Sequence, residues 1–157
     1  MFFTLKKIIY KRKTIKNDKE MKYLKTYEYL FEITFREWLK DHPQDINTIE
    51  ILCYNANLTD LDGVQEFKNL EYLSCWNNNL TSLNLEGLDK LKILWCSDNN
   101  LTSLNLEGLD KLEGLDCSNN KLTSLNLEGL DNLKKLDCSN NNLTSLDLEG
   151  LENLEEL

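Results

Sequence analysis

Apolar residues recur along this chain in two rhythms. Leu24, Tyr27, Phe31, Phe35 and Trp38 follow one another at steps of three and four, the stripe of an amphipathic helix. Asn17 with Glu20 forms a cap pair ahead of that stripe, and Pro43 turns His42 away from helix. The spacing therefore predicts a helix from about residue 18 to 40. Beyond residue 46 the rhythm changes to a long repeat. Cys75, Cys96, Cys117 and Cys138 stand 21 residues apart, and Cys53 precedes Cys75 by 22. Each unit opens Leu-x-x-Leu-x-Cys-x-x-Asn-x-Leu, starting at Leu70, Leu91, Leu112 and Leu133, with a divergent version through Ile51, Cys53 and Leu58.

Within each opening, side chains alternate by twos. Leu73 and Cys75 share one face of a strand, and Tyr72, Ser74 and Trp76 share the other. Repetition at a fixed interval stacks such strands into a parallel sheet, because no single turn can bury its leucines alone. Asn78, Asn99, Asn120 and Asn141 fall where the chain leaves the strand. An amide there supplies donors and an acceptor to backbone groups that would otherwise be buried unpaired. Ala56 replaces this Asn in the first unit, which should be irregular there. The return from Thr81 to Lys90 is too short for a multi-turn helix, so extended or 3-10 pieces are expected, with Gly87 at a tight bend.

The opening consensus resembles the leucine-rich-repeat family, with Leu at the first, fourth and eleventh places and Cys at the sixth, where that family usually has Leu. The likeness spans residues 46–157, roughly 70% of the chain. The short unit is similar to internalin-like repeats of bacteria and to sparse repeats of giant viruses. The resemblance implies an α/β solenoid: a right-handed superhelix with a parallel concave β-sheet, short convex segments and an N-terminal helical cap. It also implies that the ninth-place Asn residues form a ladder. Three regions follow: a basic tail over 1–16, a helical cap over 17–45, and a solenoid of about five coils over 46–157. A partial sixth coil opens at Leu154, and its apolar anchors are expected to support self-association at that end.

Charge divides the chain along the same line. Residues 1–45 carry a net of +4 and residues 46–157 a net of -13, so the repeats do not suit nucleic acid. Residues 1–16 hold six Lys/Arg and no acid among Phe2, Phe3, Leu5, Ile8 and Ile9. Three readings stand for this segment: a solvated tail, an anchor for an anionic membrane surface, or a nuclear address at Lys11-Arg12-Lys13. No apolar run is long enough for a secretory signal or a span, and five unpaired cysteines suit a reducing, intracellular compartment.

Catalytic chemistry has little to work with. His42 is the single histidine, with no partner implied by spacing, and nothing pairs a nucleophile with a base. The cysteines face one way into an apolar core and are read as core residues, not as metal ligands. No cofactor is expected. The Asn-Leu-Thr triplets at Asn57, Asn79, Asn100 and Asn142 arise from the repeat and carry no meaning inside a cell. What remains is the outward strand face, and it is uneven. Leu52, Tyr54, Tyr72, Trp76, Ile93 and Trp95 gather in the first three units, whereas the last two place Asp116, Asp137 and serines there. Clustered exposed apolar surface marks an interface. These residues, with Asp116 and Asp137, are expected to bind a protein or peptide of basic character. Packing beneath the N-terminal segment is a competing use of the same face. Two other functions fit the same sequence: a membrane-surface scaffold held by the tail, and a truncated relative of an enzyme-bearing repeat effector.

Overall fold

A computed structural model describes residues 33–157. Five short parallel strands form one sheet in chain order: β1 (Glu50–Leu52), β2 (Tyr72–Ser74), β3 (Ile93–Trp95), β4 (Gly114–Asp116) and β5 (Lys135–Asp137). The register places Ile51, Leu73, Leu94, Leu115 and Leu136 side by side. All five leucine-type positions are buried, as the alternation by twos requires. Pairing continues past the strands: the backbone N–H groups of Cys75, Cys96 and Cys117 each donate 2.8 Å to the next coil, reaching Trp95, Asp116 and Asp137 oxygens. The molecule is the parallel-sheet solenoid expected from the repeat.

The ladder of amides explains how the bend after each strand can be dry. Asn99 Nδ2 lies 3.1 Å from each of the carbonyl oxygens of Cys75, Cys96 and Ser97. Its Oδ1 accepts the Leu80 N–H at 3.0 Å. Asn120 repeats the pattern one coil later, and Asn78 one coil earlier. In the first unit, where Ala56 offers no amide, Asn78 Oδ1 takes the N–H groups of both Ala56 and Leu58. The chain is irregular at that place, with Asn57 at φ 59° and Leu58 bridged to Ile33.

The returns are tight turns and extended pieces; among the described residues, the one 3-10 turn is Val64–Glu66. Gly87, Gly108, Gly129 and Gly150 recur at φ 74–85°, a left-handed bend that a side chain would strain. Asn84, Asn105, Asn126 and Asp147 close the preceding turn by accepting the N–H two residues on.

The helix differs from its sequence expectation. α1 covers Phe35–Asp41 alone, and Ile33 and Thr34 before it are extended. Thr34 and Glu37 form a reciprocal capping box that starts a new helix at this point. Ile33 pairs with Leu58 across 25 residues, a contact that interrupts any continuous helix from residue 18. The earlier part of the expected helix and the basic segment 1–16 lie outside the described residues. Phe35 and Trp38 are buried from α1, stacked at 5.7 Å, and Phe35 meets Phe67 edge-on at 6.4 Å. His42 ends the helix and lies flat on Trp38 at 4.5 Å.

Cys53, Cys75, Cys96 and Cys117 are buried in the apolar core, while Cys138 in the last coil is half-buried. Burial pushes the Cys53 and Cys117 thiols up to about 12, and those of Cys75 and Cys96 well above their ordinary value. Iodoacetamide applied to the native protein should therefore modify Cys138 first and leave Cys96 and Cys117 untouched. Denaturation should expose all five, as read by mass spectrometry; rapid native labelling of Cys96 would contradict the packing. Leu115→Ala should cost about 2–5 kcal/mol in urea unfolding, since a middle coil cannot close over the cavity.

Candidate binding face of the sheet

Three columns of side chains cross the sheet on the face away from the core. Glu50, Tyr72, Ile93, Gly114 and Lys135 align in one, and Leu52, Ser74, Trp95, Asp116 and Asp137 in the next. The third, just past the strands, runs from Tyr54 and Trp76 to Ser97, Ser118 and Ser139 by the same period. Every residue expected from the sequence to bind a partner is thus brought onto one surface. The face changes character across β3, from aromatic to acidic.

On the aromatic side, Leu52, Tyr54 and Trp95 are 45%, 44% and 42% exposed, large values for such side chains. Tyr54 stacks on Trp76 with ring centroids 5.0 Å apart, and Tyr72 meets Trp95 edge to face at 5.1 Å. Such pairs hold one another in place, so the rings form a prepared surface. Ile93 leans over β4, where Gly114 leaves room: a Cβ at Gly114 would come within 2.9 Å of the Ile93 Cδ1. Burial, then the Glu50 carboxylate, then Tyr54 raise the Tyr72 hydroxyl above its ordinary value.

On the acidic side, Asp116 Oδ1 accepts from Ser118 N at 3.1 Å and from Ser118 Oγ at 2.7 Å, and Asp137 Oδ1 accepts from Ser139 N at 3.0 Å. One oxygen of each carboxylate is thereby fixed. Lys135, the one base of these columns, is paired to Glu156 at 2.8 Å, with both side chains well exposed. Its charge is offset, and the surface is left acidic.

Alternation by twos puts Ser74 on this face as well. In the structure it is 1% exposed, and its hydroxyl has no hydrogen-bond partner. Leu52 and Trp95 flank it in register, and Tyr72 and Trp76 flank it along its own strand. No sequence signal marks this, because Leu52 and Trp95 on the two adjoining strands are more than twenty residues away in the chain.

Among the described residues no three His, Cys, Asp or Glu side chains converge as a metal site, and no helix is long and apolar enough to cross a membrane. A hollow between returns is lined by Leu83, Leu85 and the turn residues Asn84, Glu86, Gly87, Asn105 and Glu107, where the amides of Asn84 and Asn105 are taken up by the turns themselves.

A parallel sheet of 21-residue coils, an amide ladder and a leucine core together define a leucine-rich-repeat solenoid. The Leucine Rich Repeat profile matches residues 69–91, 90–112, 111–133 and 132–154, and the chain belongs to that family. Its members generally bind proteins. No curated protein matches the chain. Among solved structures, the functional domain of InlJ from Listeria monocytogenes, which includes a cysteine ladder, is 37% identical with a TM-score of 0.66, covering 71% of this chain and 26% of that one. Internalin C2 of the same organism is 28% identical, TM-score 0.62, over 64% of this chain and 46% of that one. A leucine-rich-repeat protein of Leptospira interrogans is 30% identical, TM-score 0.58, over 62% and 27%. The chain thus spans less than half the length of each of these relatives.

Proposed function

We propose that this chain is a non-enzymatic interaction module that works inside the cell and binds a protein or peptide of basic character on the concave face of its sheet. The observation that carries this reading is the contiguity of the ring pairs Tyr54–Trp76 and Tyr72–Trp95 with Leu52 on one side and the carboxylates of Asp116 and Asp137 on the other. Rigid aromatic anchors supply most of the energy at protein interfaces, whereas charges mainly steer and select the partner. A chain whose repeats carry a net of -13 attracts a cationic partner before contact. The free buried thiols suit a reducing compartment.

The test is a quantitative pull-down from the native cell with the full chain, beside a Trp76→Ser/Trp95→Ser variant shown by circular dichroism to be folded. A protein retained by the first and lost by at least tenfold with the second is the expected result, since two interface tryptophans typically contribute more than 2 kcal/mol together. Equal recovery of every bound protein would contradict the assignment.

A further inference from the structure

The concave face contains a hydroxyl that the protein itself leaves unanswered. Ser74 is 1% exposed, and its Oγ meets no donor or acceptor among the described residues. Native structures rarely bury a side-chain hydroxyl in this state, because a lone buried polar atom keeps its desolvation cost. The backbone does not explain it: on the core side Leu73 and Cys75 are apolar, and Ser74 points the other way. Leu52 and Trp95 stand beside it on the neighbouring strands and Tyr72 and Trp76 along its own, so a guest that reaches the hydroxyl must part these side chains.

Resting on the proposed concave-face function, we propose that Ser74 is the floor of a recess that takes an arginine side chain of the partner, with a second basic residue seated over Asp116 and Asp137. The chemistry of the surroundings selects the guest. An apolar anchor such as Leu or Phe would satisfy the rings but leave the hydroxyl unpaired. A guanidinium does both: it is planar, so it stacks on Tyr and Trp faces, and its N–H groups donate in the plane to an oxygen such as Ser74 Oγ. It is also the cation that loses least on leaving water, which a covered site demands. Carboxylates stand on both flanks: Glu50 in register with Tyr72 on one side, Asp116 beyond Trp95 on the other.

The sheet then sets the spacing. Adjacent strands lie about 4.8 Å apart, so Asp116 is about 10 Å from Ser74 across the sheet and Asp137 about 14 Å. An extended peptide rises about 3.3 Å per residue, so a segment lying across the strands presents its second cation three to five residues from the first.

A phage-displayed library of random twelve-residue peptides, selected on the full chain, tests this directly. The expected winners share an Arg with Lys or Arg three to five residues away, and lose binding to the Trp76→Ser/Trp95→Ser and Asp116→Asn/Asp137→Asn variants. In the best of them, citrulline in place of the anchor Arg keeps the shape but removes the charge, and should weaken binding about tenfold. Ser74→Ala should weaken the Arg peptide about three- to tenfold yet raise the melting temperature of the free protein by a few degrees, because an unpaired hydroxyl is gone. Winners that depend on Trp76 and Trp95 but carry apolar anchors, or tolerate citrulline, would overturn the arginine recess and leave the concave-face function standing. Winners indifferent to the tryptophan pair, or no winners, would overturn both.

Discussion

Asn99→Ala should destabilise the protein by about 4 kcal/mol or more, as much as the loss of a core leucine, although it removes only three heavy atoms of side chain. The amide of Asn99 answers the carbonyls of Cys75, Cys96 and Ser97 and the N–H of Leu80, all in a buried bend. Without it the buried Leu80 N–H loses its partner, at about 1–3 kcal/mol, and the three carbonyls, which keep one donor each from Asn78, Asn120 and the Asn77 N–H, lose a second bond worth about 0.5–1.5 kcal/mol apiece. Asn141 makes an equivalent set of bonds in the half-buried last coil, where water can substitute. Asn141→Ala should therefore cost about 1–2 kcal/mol. Urea midpoints of the two variants read the difference. Equal losses would mean that the ladder acts by local turn propensity, not by satisfying buried backbone.

The second large effect is alkaline unfolding. An unfolded thiol ionises near 9, whereas folding holds Cys53 and Cys117 at about 12, chiefly by burial, and Cys75 and Cys96 well above the ordinary value. Below pH 9 both states keep these protons and the thiols give no slope. Above pH 9 the unfolded chain releases protons that the folded chain retains, so stability falls as pH rises, toward pH 12. Each buried thiol contributes about 1.4 kcal/mol per pH unit in that window, and four contribute about 5. Against a total of about 5–15 kcal/mol for a domain, unfolding should be complete within about one to three pH units above 9. Circular dichroism against pH shows the transition. Cys96→Ala should reduce the slope of stability against pH by about 1.4 kcal/mol per unit, a change separable from its cavity cost at neutral pH. A wild-type protein still folded at pH 12 would contradict the burial of the ladder.

Local rules, repeated often enough, explain how much of this molecule was legible in its sequence. The spacing of Leu73, Leu94 and Leu115 and the alternation with Cys75, Cys96 and Cys117 located every strand from β2 onward, because one solution serves all coils. The inequality of the outward face was equally plain: Tyr72 and Trp95 against Gly114 and Asp137 are visible as letters. Positions set by long-range pairing were not. The apolar stripe around Phe31 and Phe35 continues a helix by period alone, and only the pairing of Ile33 with Leu58 and the Thr34 cap break it. The place before the ladder amide carries a signal of its own. Asn77, Asp98, Asn119 and Asn140 all sit at φ 51–53°, a left-handed turn in which Asn and Asp are tolerated because their short polar chains bond locally. That signal was present as an unbroken run of Asn and Asp, one place before a more conspicuous Asn. Ser74 is of a third kind: its importance lies in what surrounds it, and Leu52 and Trp95 are each more than twenty residues away.

A partner landing on the concave aromatic face, as proposed, can be observed in one experiment through the three tryptophans. Trp76 and Trp95 stand on that face, whereas Trp38 is buried in α1 against Phe35 and His42. In a nitrogen-15-labelled full chain, the indole N–H signals of Trp76 and Trp95 should shift together and saturate as the best selected peptide is titrated in, while that of Trp38 stays in place. Saturable binding that moves Trp38 and leaves Trp76 and Trp95 unshifted would place the partner elsewhere and contradict the account.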